Sequence, residues 1–304
     1  MSTVKVDPHY RRISMTDSNM VAELWPERKE LPLEGLYLSQ GLARKSAEMQ
    51  KPIVLSTYLT DRNGVVAKAD EHGHFRVPLE TRNASDWQLS QELMAQADVI
   101  ISGGDYLKSA SAPGKHPQDI LHQFEGGGEF EELGEWRLRA GYRERSPDLA
   151  VVARHLDFQI PEELLNSGRR VAVFTTSGVA RFEQARALTT SGVAVIGSGE
   201  TGVDGKVMTD YLSDELGARV IVMATGPNVL QLLLAAKRLD LLYITQVQRE
   251  IRFDDPATVK TLLPNGKAVD DIEEFYLTHR YSQNNVSTAD GSLVSQMFLR
   301  YDST

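Results

Sequence analysis

Short, largely apolar strands alternate with helical segments through the second half of the chain, and this alternation limits the fold more than any other feature. The strands lack the polar alternation of a sheet with one wet face. We predict strands at 149–152, 171–174, 193–196, 219–223 and 241–245, and helices at 179–188, 207–216 and 229–239. Buried strands joined by helices predict an α/β fold with a mostly parallel sheet covered on both faces.

The first half adds elements of the same kind. We predict strands at 53–59 and 98–102, and a helix at 86–97. Asp61-Arg62-Asn63-Gly64 is a turn signal after the first of these strands, and Ser85 is a plausible N-cap for the helix. Near the C terminus, residues 292–301 predict a late strand that runs antiparallel to its neighbours.

Two segments are less regular. Residues 1–50 are interpreted as an N-terminal extension, with an extended arm at Leu24-Trp25-Pro26 and Leu31-Pro32-Leu33 and a short amphipathic helix within 36–49. Residues 109–147 carry glycine breaks and crowded charges, which indicate an irregular insertion or surface flap. We therefore predict one domain over 51–304, preceded by the extension and interrupted by the insertion.

Composition excludes several classes of function. The formal net charge is −9 without basic blocks, which makes nucleic acid a poor candidate partner. The chain has no cysteine, so disulfides, thiolate metal sites and cysteine nucleophiles are excluded, and we expect no metal site. The first 17 residues are polar, and no later stretch approaches a membrane span. We expect a cytoplasmic protein that binds no membrane.

Three loops that follow predicted strands are rich in glycine or hydroxyl groups. They are Gly103-Gly104-Asp105, Thr175-Thr176-Ser177-Gly178 and Gly226-Pro227-Asn228. Ligands of open α/β sheets collect at the carboxyl ends of strands. Because the third loop leads directly into a predicted helix, its amides could hold an anion such as a pyrophosphate. An ordinary strand-to-helix turn has the same spacing, so both interpretations stay open.

Gly197-Ser198-Gly199-Glu200-Thr201-Gly202 matches the dinucleotide-binding pattern G-x-G-x-x-G and also follows a strand. Such a site needs a helix that begins within the glycine run and an acidic residue about twenty positions later. Here Val203-Asp204-Gly205 delays the helix, and the next strand ends at Ala224-Thr225 without a carboxylate. A Rossmann-type dehydrogenase that uses this loop remains an alternative.

The order of these pieces carries a resemblance to a known family. The motifs are Asp61-Arg62-Asn63-Gly64-Val65-Val66-Ala67, Thr81-Arg82-Asn83, Ala95-Gln96-Ala97-Asp98-Val99-Ile100, Val151 to Asp157, Val173 to Thr176, and Gly205 to Asn228. Over residues 51–299 they resemble the reductase domain of the riboflavin-pathway deaminase-reductases, the RibD C-terminal-like domain of the dihydrofolate-reductase-like superfamily. The resemblance implies a three-layer α/β fold with a mostly parallel central sheet, helices on both faces and a late antiparallel strand.

The resemblance also implies a function and a set of site residues. The activity would be that of a 5-amino-6-(5-phosphoribosylamino)uracil reductase, with hydride passing from NADPH to a pyrimidine-ribosyl or related small molecule. Asp61 and Asn63 would be catalytic, although Asp61 is also a common turn-forming residue. Asn83 and Trp87 would face the substrate. The cofactor would be held by Gly103, Gly104, Asp105, Arg154, Thr175, Thr176, Gly226, Pro227, Asn228, Val229 and Leu230.

The sequence departs from the family pattern on the substrate side. Asn63 stands where the family has aspartate, and Ala224-Thr225-Gly226-Pro227 lacks the glutamate of the family's Glu-Gly-Gly-Pro loop. Tyr106 and the insertion replace the run that helps to bind substrate. A non-catalytic nucleotide-binding module that kept the fold is therefore a second alternative. The family further implies a homodimer, for which the late strand Leu293–Leu299 is a candidate contact.

Overall fold

The computed structural model describes residues 19–110, 124–264 and 267–304. The described residues form strands and helices in alternation through most of the chain. The strands are β1 (Met20–Trp25), β2 (Lys29–Pro32), β3 (Ile53–Thr60), β4 (Val65–Ala69), β5 (Phe75–Arg76), β6 (Val99–Gly103), β7 (Asp148–Val152), β8 (Val171–Thr175), β9 (Ala194–Gly197), β10 (Val220–Met223), β11 (Leu241–Val247), β12 (Val259–Thr261), β13 (Phe275–Ser287) and β14 (Leu293–Ser303). The α-helices are α1 (Leu42–Met49), α2 (Ala84–Ala95), α3 (Gly104–Ala110), α4 (Glu131–Arg139), α5 (Glu162–Leu165), α6 (Glu183–Thr190), α7 (Gly205–Asp214) and α8 (Pro227–Ala235).

The described chain divides into two compact units that interleave in sequence. The first unit comprises residues 41–54 and 93–238, and the second comprises residues 19–40, 55–92 and 239–304. Each unit has its own strand order. None of the helices within the described ranges is both long and apolar enough to cross a membrane.

The first unit is built on a parallel sheet with the strand order β10-β6-β7-β8-β9. The central strands β7 and β8 are almost entirely buried, as their continuous apolar sequences predict. From β6 the chain proceeds stepwise to β9 on one side, and then returns to place β10 on the other side of β6. The strand order therefore reverses between β6 and β10, which makes this pair of strand ends a topological switch point.

The second unit has the strand order β2-β1-β13-β14-β11-β3. Only β11 and β3 pair in parallel, and the remaining neighbours are antiparallel. A separate three-stranded antiparallel sheet has the order β12-β4-β5. The α/β class and the late antiparallel strand, β14, are confirmed. The sequence predicted a mostly parallel sheet, however, and in this unit most neighbouring strands are antiparallel.

Two local predictions are wrong for identifiable reasons. Helix α2 begins at Ala84, and the Asn83 side chain, rather than Ser85, caps it by accepting a hydrogen bond from the Asp86 amide at 2.9 Å. Part of the supposed irregular insertion is a packed helix, α4, in which Leu133, Gly134 and Arg137 are buried. Residues 111–123 of that insertion lie outside the described residues.

The strand β13 was missed altogether. Its sequence alternates polar and apolar residues irregularly, and its pairing with β14 shifts register twice, between Leu277 and His279 and between Gln283 and Val286. Such irregularities break the period-two pattern on which a strand prediction depends. Because β13 also pairs with β1, the N-terminal arm is part of the second unit's sheet rather than an added extension.

Candidate functional site

The switch point of the first unit lies between the carboxyl ends of β6 and β10. The two strands pair in parallel, and the Ala224 amide extends the ladder by donating to the Ile101 carbonyl at 2.9 Å. A Cβ on Gly103 would lie 3.1 Å from the Thr225 hydroxyl, so the loops after both strands are close neighbours. Open α/β sheets bind ligands at such a crevice. Two of the three loops that the sequence singled out therefore meet here.

Gly226, like Gly178 and Gly202 after the neighbouring strands, is a glycine whose identity packing does not explain. It precedes α8 with φ −68° and ψ 171°, a conformation open to any residue, and nothing lies within 4 Å of the Cβ that it lacks. It is exposed, and no side chain caps the helix that follows. The start of α8 presents the positive end of the helix dipole, and since Pro227 has no N–H and the Val229 amide donates to the Gly226 carbonyl, the Asn228 amide is the donor of this first turn left for a ligand. A ligand that approaches the backbone closely would explain a glycine here.

The structure limits which other residues of this loop could contact a cofactor. Pro227 is the first residue of α8, and Asn228 is exposed. Val229 and Leu230 face the core, and the Val229 amide already donates to the Gly226 carbonyl at 3.1 Å. Their side chains are thus unable to contact a cofactor, and the predicted role of these two residues is limited to their backbone.

In the loop after β6, Gly104 is tightly packed and Asp105 is exposed. A Cβ on Gly104 would lie 2.9 Å from the Ala153 Cβ and 3.3 Å from the Phe158 ring, so the close approach of α3 to β7 requires this glycine. Asp105 is fully exposed and lies 3.6 Å from the Lys108 ammonium. Gly104 therefore has a structural reason to be glycine, whereas Gly103 lines the crevice beside Thr225.

Arg154 follows β7 and is exposed, and within the described ranges its guanidinium has no hydrogen bond or ion pair. The hydroxyls expected beside it behave differently. Thr175 is fully buried, so its side chain is excluded from contact with a ligand. The Thr176 hydroxyl accepts a hydrogen bond from the Val179 amide at 3.3 Å. Of these three residues, Arg154 is the one whose side chain is free to bind a ligand.

The G-x-G-x-x-G loop after β9 has structural roles in packing and helix capping. A Cβ on Gly199 would overlap the Gly202 carbonyl oxygen, and one on Gly197 would lie 2.9 Å from the Ser177 Cα. Asp204 caps α7 by accepting hydrogen bonds from the Lys206 and Val207 amides at 2.8 and 3.1 Å. A carboxylate therefore occupies the place where a pyrophosphate would bind, and β9 is the last strand in the unit's order. The Rossmann alternative is not supported.

The predicted catalytic residue Asp61, in the second unit, is a structural aspartate. It is fully buried, and its carboxylate accepts hydrogen bonds from the amides of Asn63 and Val65 at 2.8 Å and from that of Ile251 at 2.9 Å. Both oxygens are engaged, so the carboxylate holds the turn and the segment after β11 together. Its catalytic assignment is corrected, while Asn63, in the same turn, is exposed.

Asn83 is likewise occupied by the fold. Besides capping α2, its side-chain amide donates to the Thr81 carbonyl and to the Gln296 side chain, both at 2.9 Å. It is buried, with its hydrogen-bonding capacity taken, so it is removed from the substrate-binding set. Trp87, one turn into the same helix, is half-buried and remains a candidate.

Asp86 is a candidate that sequence reasoning missed. It lies in the first turn of α2 and is almost completely buried. Burial raises the pKa of the Asp86 carboxyl to about 6, and a hydrogen bond with Thr245 on β11 opposes that rise. Carboxyls with raised pKa values cluster at functional sites. The only sequence signal was an acidic residue at a helix start, which is common for reasons unrelated to function.

Comparison with known proteins identifies the fold. No family model and no curated protein matches the chain. Among solved structures, a pyrimidine reductase-like protein from Corynebacterium diphtheriae aligns with 85% of this chain and 94% of its own at 22% identity, with a TM-score of 0.57. The riboflavin biosynthesis reductase of Saccharomyces cerevisiae aligns with 89% of this chain and 99% of its own at 16% identity, with a TM-score of 0.52.

A third match is longer than this chain. The diaminohydroxyphosphoribosylaminopyrimidine deaminase/5-amino-6-(5-phosphoribosylamino)uracil reductase of Thermotoga maritima aligns with 86% of this chain but only 60% of its own length, at 13% identity and a TM-score of 0.51. The aligned region thus leaves a large part of that protein uncovered. Taken together, the matches show that the chain has the fold of these pyrimidine reductases.

Proposed function

We propose that the protein is an NADPH-dependent reductase that acts on a pyrimidine-ribosyl or related small heterocyclic substrate. The observation that carries the proposal is Gly226, a glycine that the fold does not require, at the uncapped start of α8 beside a topological switch point. The fold shared with pyrimidine reductases supports the same interpretation. NADPH, when bound, would supply the hydride.

The residues of the first unit fit such a cofactor. The missing Cβ of Gly226 leaves room for a pyrophosphate against the backbone of α8, with Asn228 exposed beside it. Gly103 and Thr225 would line the crevice next to the pyrophosphate. Arg154, with an unpaired guanidinium among the described residues, is assigned to the 2′-phosphate that distinguishes NADPH from NADH.

On the substrate side, we assign Asp86 in place of Asp61. With a pKa of about 6, raised by burial, the Asp86 carboxyl exists in both protonation states near neutral pH. It can accept a hydrogen bond from a ring N–H when ionised and donate one when protonated. Trp87 would offer a ring face to a planar heterocycle. The missing family acid at position 224 is consistent with a substrate that differs from that of the pathway enzymes.

The test is a pair of measurements on the whole chain. Calorimetric titration should show NADPH bound at least about tenfold more tightly than NADH, as expected for one charge-assisted contact to a phosphate. The Arg154→Gln variant should lose that preference, and Arg186→Gln, on an exposed face of α6, should keep it. A screen of pyrimidine and pteridine acceptors should then show loss of NADPH absorbance. Equal affinity for both cofactors would contradict the proposal.

NADPH binding without turnover of any acceptor would favour the second candidate, a nucleotide-binding module without catalysis. The observation behind that candidate is that Asp61 and Asn83, two of the four substrate-side residues inferred from the family, are fully engaged by backbone and side-chain hydrogen bonds. Activity with any acceptor, lost in Asp86→Asn but retained in Asp271→Asn, would exclude it.

We also propose a homodimer, although not through the strand first considered. The strand β14 pairs with β11 on one side and β13 on the other, so neither edge is available to a second copy. In this unit the strand order ends instead at β2. Light scattering at micromolar concentration should give twice the monomer mass, and the mass of a monomer would contradict the proposal.

A further inference from the structure

A small cavity lies at the amino ends of β6 and β10, on the sheet edge opposite to Gly226. It belongs entirely to the first unit and has a volume of about 150 Å³. Arg219, the residue before β10, lines one side, Trp136 of α4 and Tyr142 line another, and Arg44 of α1 completes it. None of these residues belongs to the proposed cofactor site.

The aromatic side of the cavity is held in place. The Trp136 and Tyr142 rings lie with centroids 6.0 Å apart at an interplanar angle of 37°. The Tyr142 hydroxyl donates to the Gln96 carbonyl at 2.8 Å, and the buried Arg137 guanidinium sits 4.3 Å from the centre of the Tyr142 ring. Arg137 is itself fixed by hydrogen bonds to the Ala95 and Ala97 carbonyls at 2.7 and 2.6 Å. The two rings therefore form a preorganised wall.

The other side of the cavity is positively charged. The Arg44 guanidinium folds over Gly41, with its Nη2 3.8 Å from the position that a glycine Cβ would take. Its acidic neighbour Glu48 lies 3.7 Å away, and both side chains are highly exposed, so this ion pair is weak. Arg219 uses its backbone amide toward Asp98, while its guanidinium makes no hydrogen bond or ion pair with any described residue.

Besides Glu48, the carboxylate of Asp98 lies near the cavity, and it is bound by backbone amides. Asp98 accepts hydrogen bonds from the Arg219 and Val220 amides at 2.8 and 2.9 Å. Burial raises the pKa of Tyr142 to about 12, an effect that Asp98 strengthens and that the charges of Arg137 and Arg219 oppose. Arg219 lines the same cavity as Trp136 and Tyr142.

We propose that this cavity binds a small aromatic carboxylate, with its ring against Trp136 and Tyr142 and its carboxylate between Arg44 and Arg219. A guanidinium matches the planar fork of a carboxylate, and a ring can stack on the fixed aromatic wall. The volume is below the range of about 300–1,000 Å³ that is usual for larger ligands, so a single ring fits best. The site is independent of NADPH and of the proposed reductase activity.

The test uses benzoate and the signals of the indole N–H groups in nitrogen-15 NMR spectra. The protein has three tryptophans, and Trp136→Phe assigns the signal of interest. Benzoate should shift the Trp136 signal saturably and leave the Trp25 signal in place. Benzamide, which has the same ring without the charge, and inorganic phosphate, which has charge without a ring, should each bind at least about tenfold more weakly.

Matched variants test the two arginines. Arg44→Gln and Arg219→Gln should each weaken benzoate binding about tenfold, the loss of one charge-assisted contact. Arg186→Gln removes the same charge from an exposed site on α6 and should change nothing. Both tested arginines are exposed, and unchanged melting temperatures would confirm that the variants fold. Equal binding of benzamide and benzoate, no shift of the Trp136 signal, or affinities unaffected by either substitution would overturn the proposal.

Discussion

The loops after β9 and β10 lie at the same sheet edge and differ in what their glycines do. After β9, Gly197 and Gly199 are glycine because a side chain would collide with neighbouring backbone. After β10, Gly226 has an ordinary conformation and open space where a side chain could lie. Packing thus explains Gly197 and Gly199 of the better sequence motif, whereas Gly202 has open space where a side chain could lie. The glycine of the weaker motif differs in lying at the start of a helix that no side chain caps, beside the switch point.

Two buried carboxylates of the second unit repeat this contrast. Asp61 stands in a recognisable motif and is satisfied by three backbone amides. Asp86 stands in no motif, and burial raises the pKa of its carboxyl to about 6. A group whose hydrogen bonds are complete supports the fold, whereas a buried acid held near its protonation point is available for chemistry. Complete hydrogen bonding thus marks Asp61 as a structural residue, and a pKa raised by burial marks Asp86 as a candidate for function.

The largest expected effect comes from Gly199→Ala in the loop after β9. The new Cβ would overlap the Gly202 carbonyl oxygen, so the loop must distort and the free energy of unfolding should fall by more than about 3 kcal/mol. Gly202→Ala is the matched control, since nothing lies within 4 Å of a Cβ there, and it should be nearly neutral. Chemical denaturation measures both. Equal stability of the two variants would show that packing does not explain the motif.

Local sequence patterns predicted some elements of the fold and not others. The strands β3, β7, β8, β10 and β11 were predicted because continuous apolar runs report burial on both faces. The strand β13 was not, since its bulges disrupt the periodic pattern. The sequence also predicted Ser85 as the cap of α2, whereas the contacts of the folded chain show that Asn83 caps it.

The site was predictable only in part. The loops at the carboxyl ends of β6 and β10 were found because strand-to-helix junctions are visible in the sequence. That these two loops meet depends on the strand order, which a single sequence does not reveal. The burial of Asp86 against Thr245 joins residues far apart in the chain, so no local pattern marks it.

Asp86→Asn should give the next largest effect, and its sign depends on pH. Because burial raises the pKa of this carboxyl from 3.8 to about 6, the folded protein binds the proton more tightly than the unfolded chain does. Stability should therefore fall as pH rises from about 4 to 6 and level off above. The asparagine variant lacks this loss and should be more stable than the wild type by roughly 2–3 kcal/mol above pH 6.

Urea denaturation of both proteins across this range measures the difference. At pH 4 the two should converge, because the carboxyl is then protonated in the folded protein. Asp271→Asn, at an exposed position, should show no comparable pH-dependent gain. A constant difference at every pH would mean that Asp86 is not held near its protonation point, and the contrast with Asp61 would fail.

Gly226→Val sharpens the comparison at the other loop. A branched side chain at this position would project into the space assigned to the pyrophosphate, without meeting any protein atom within 4 Å of its Cβ. NADPH affinity should fall at least tenfold, about 1.4 kcal/mol, while the melting temperature stays near that of the wild type. Gly202→Val, in equally open space after β9, should leave the affinity unchanged. If Gly202→Val weakened binding and Gly226→Val did not, the assignment of the cofactor loop would be reversed.

The smallest expected effect concerns Asp204, whose carboxylate holds the start of α7. Asp204→Ala removes hydrogen bonds to the Lys206 and Val207 amides and should cost about 1 kcal/mol of stability, the usual value for a lost N-cap. Asp204→Asn keeps a capping oxygen and should restore most of that loss while removing the negative charge. Neither variant should change NADPH affinity, because the loop after β9 binds no phosphate in this assignment. Calorimetric titration beside thermal melting separates the two effects. An increase in NADPH affinity in both variants would mean that Asp204 had been repelling a nearby phosphate, which would bring the cofactor close to the loop after β9.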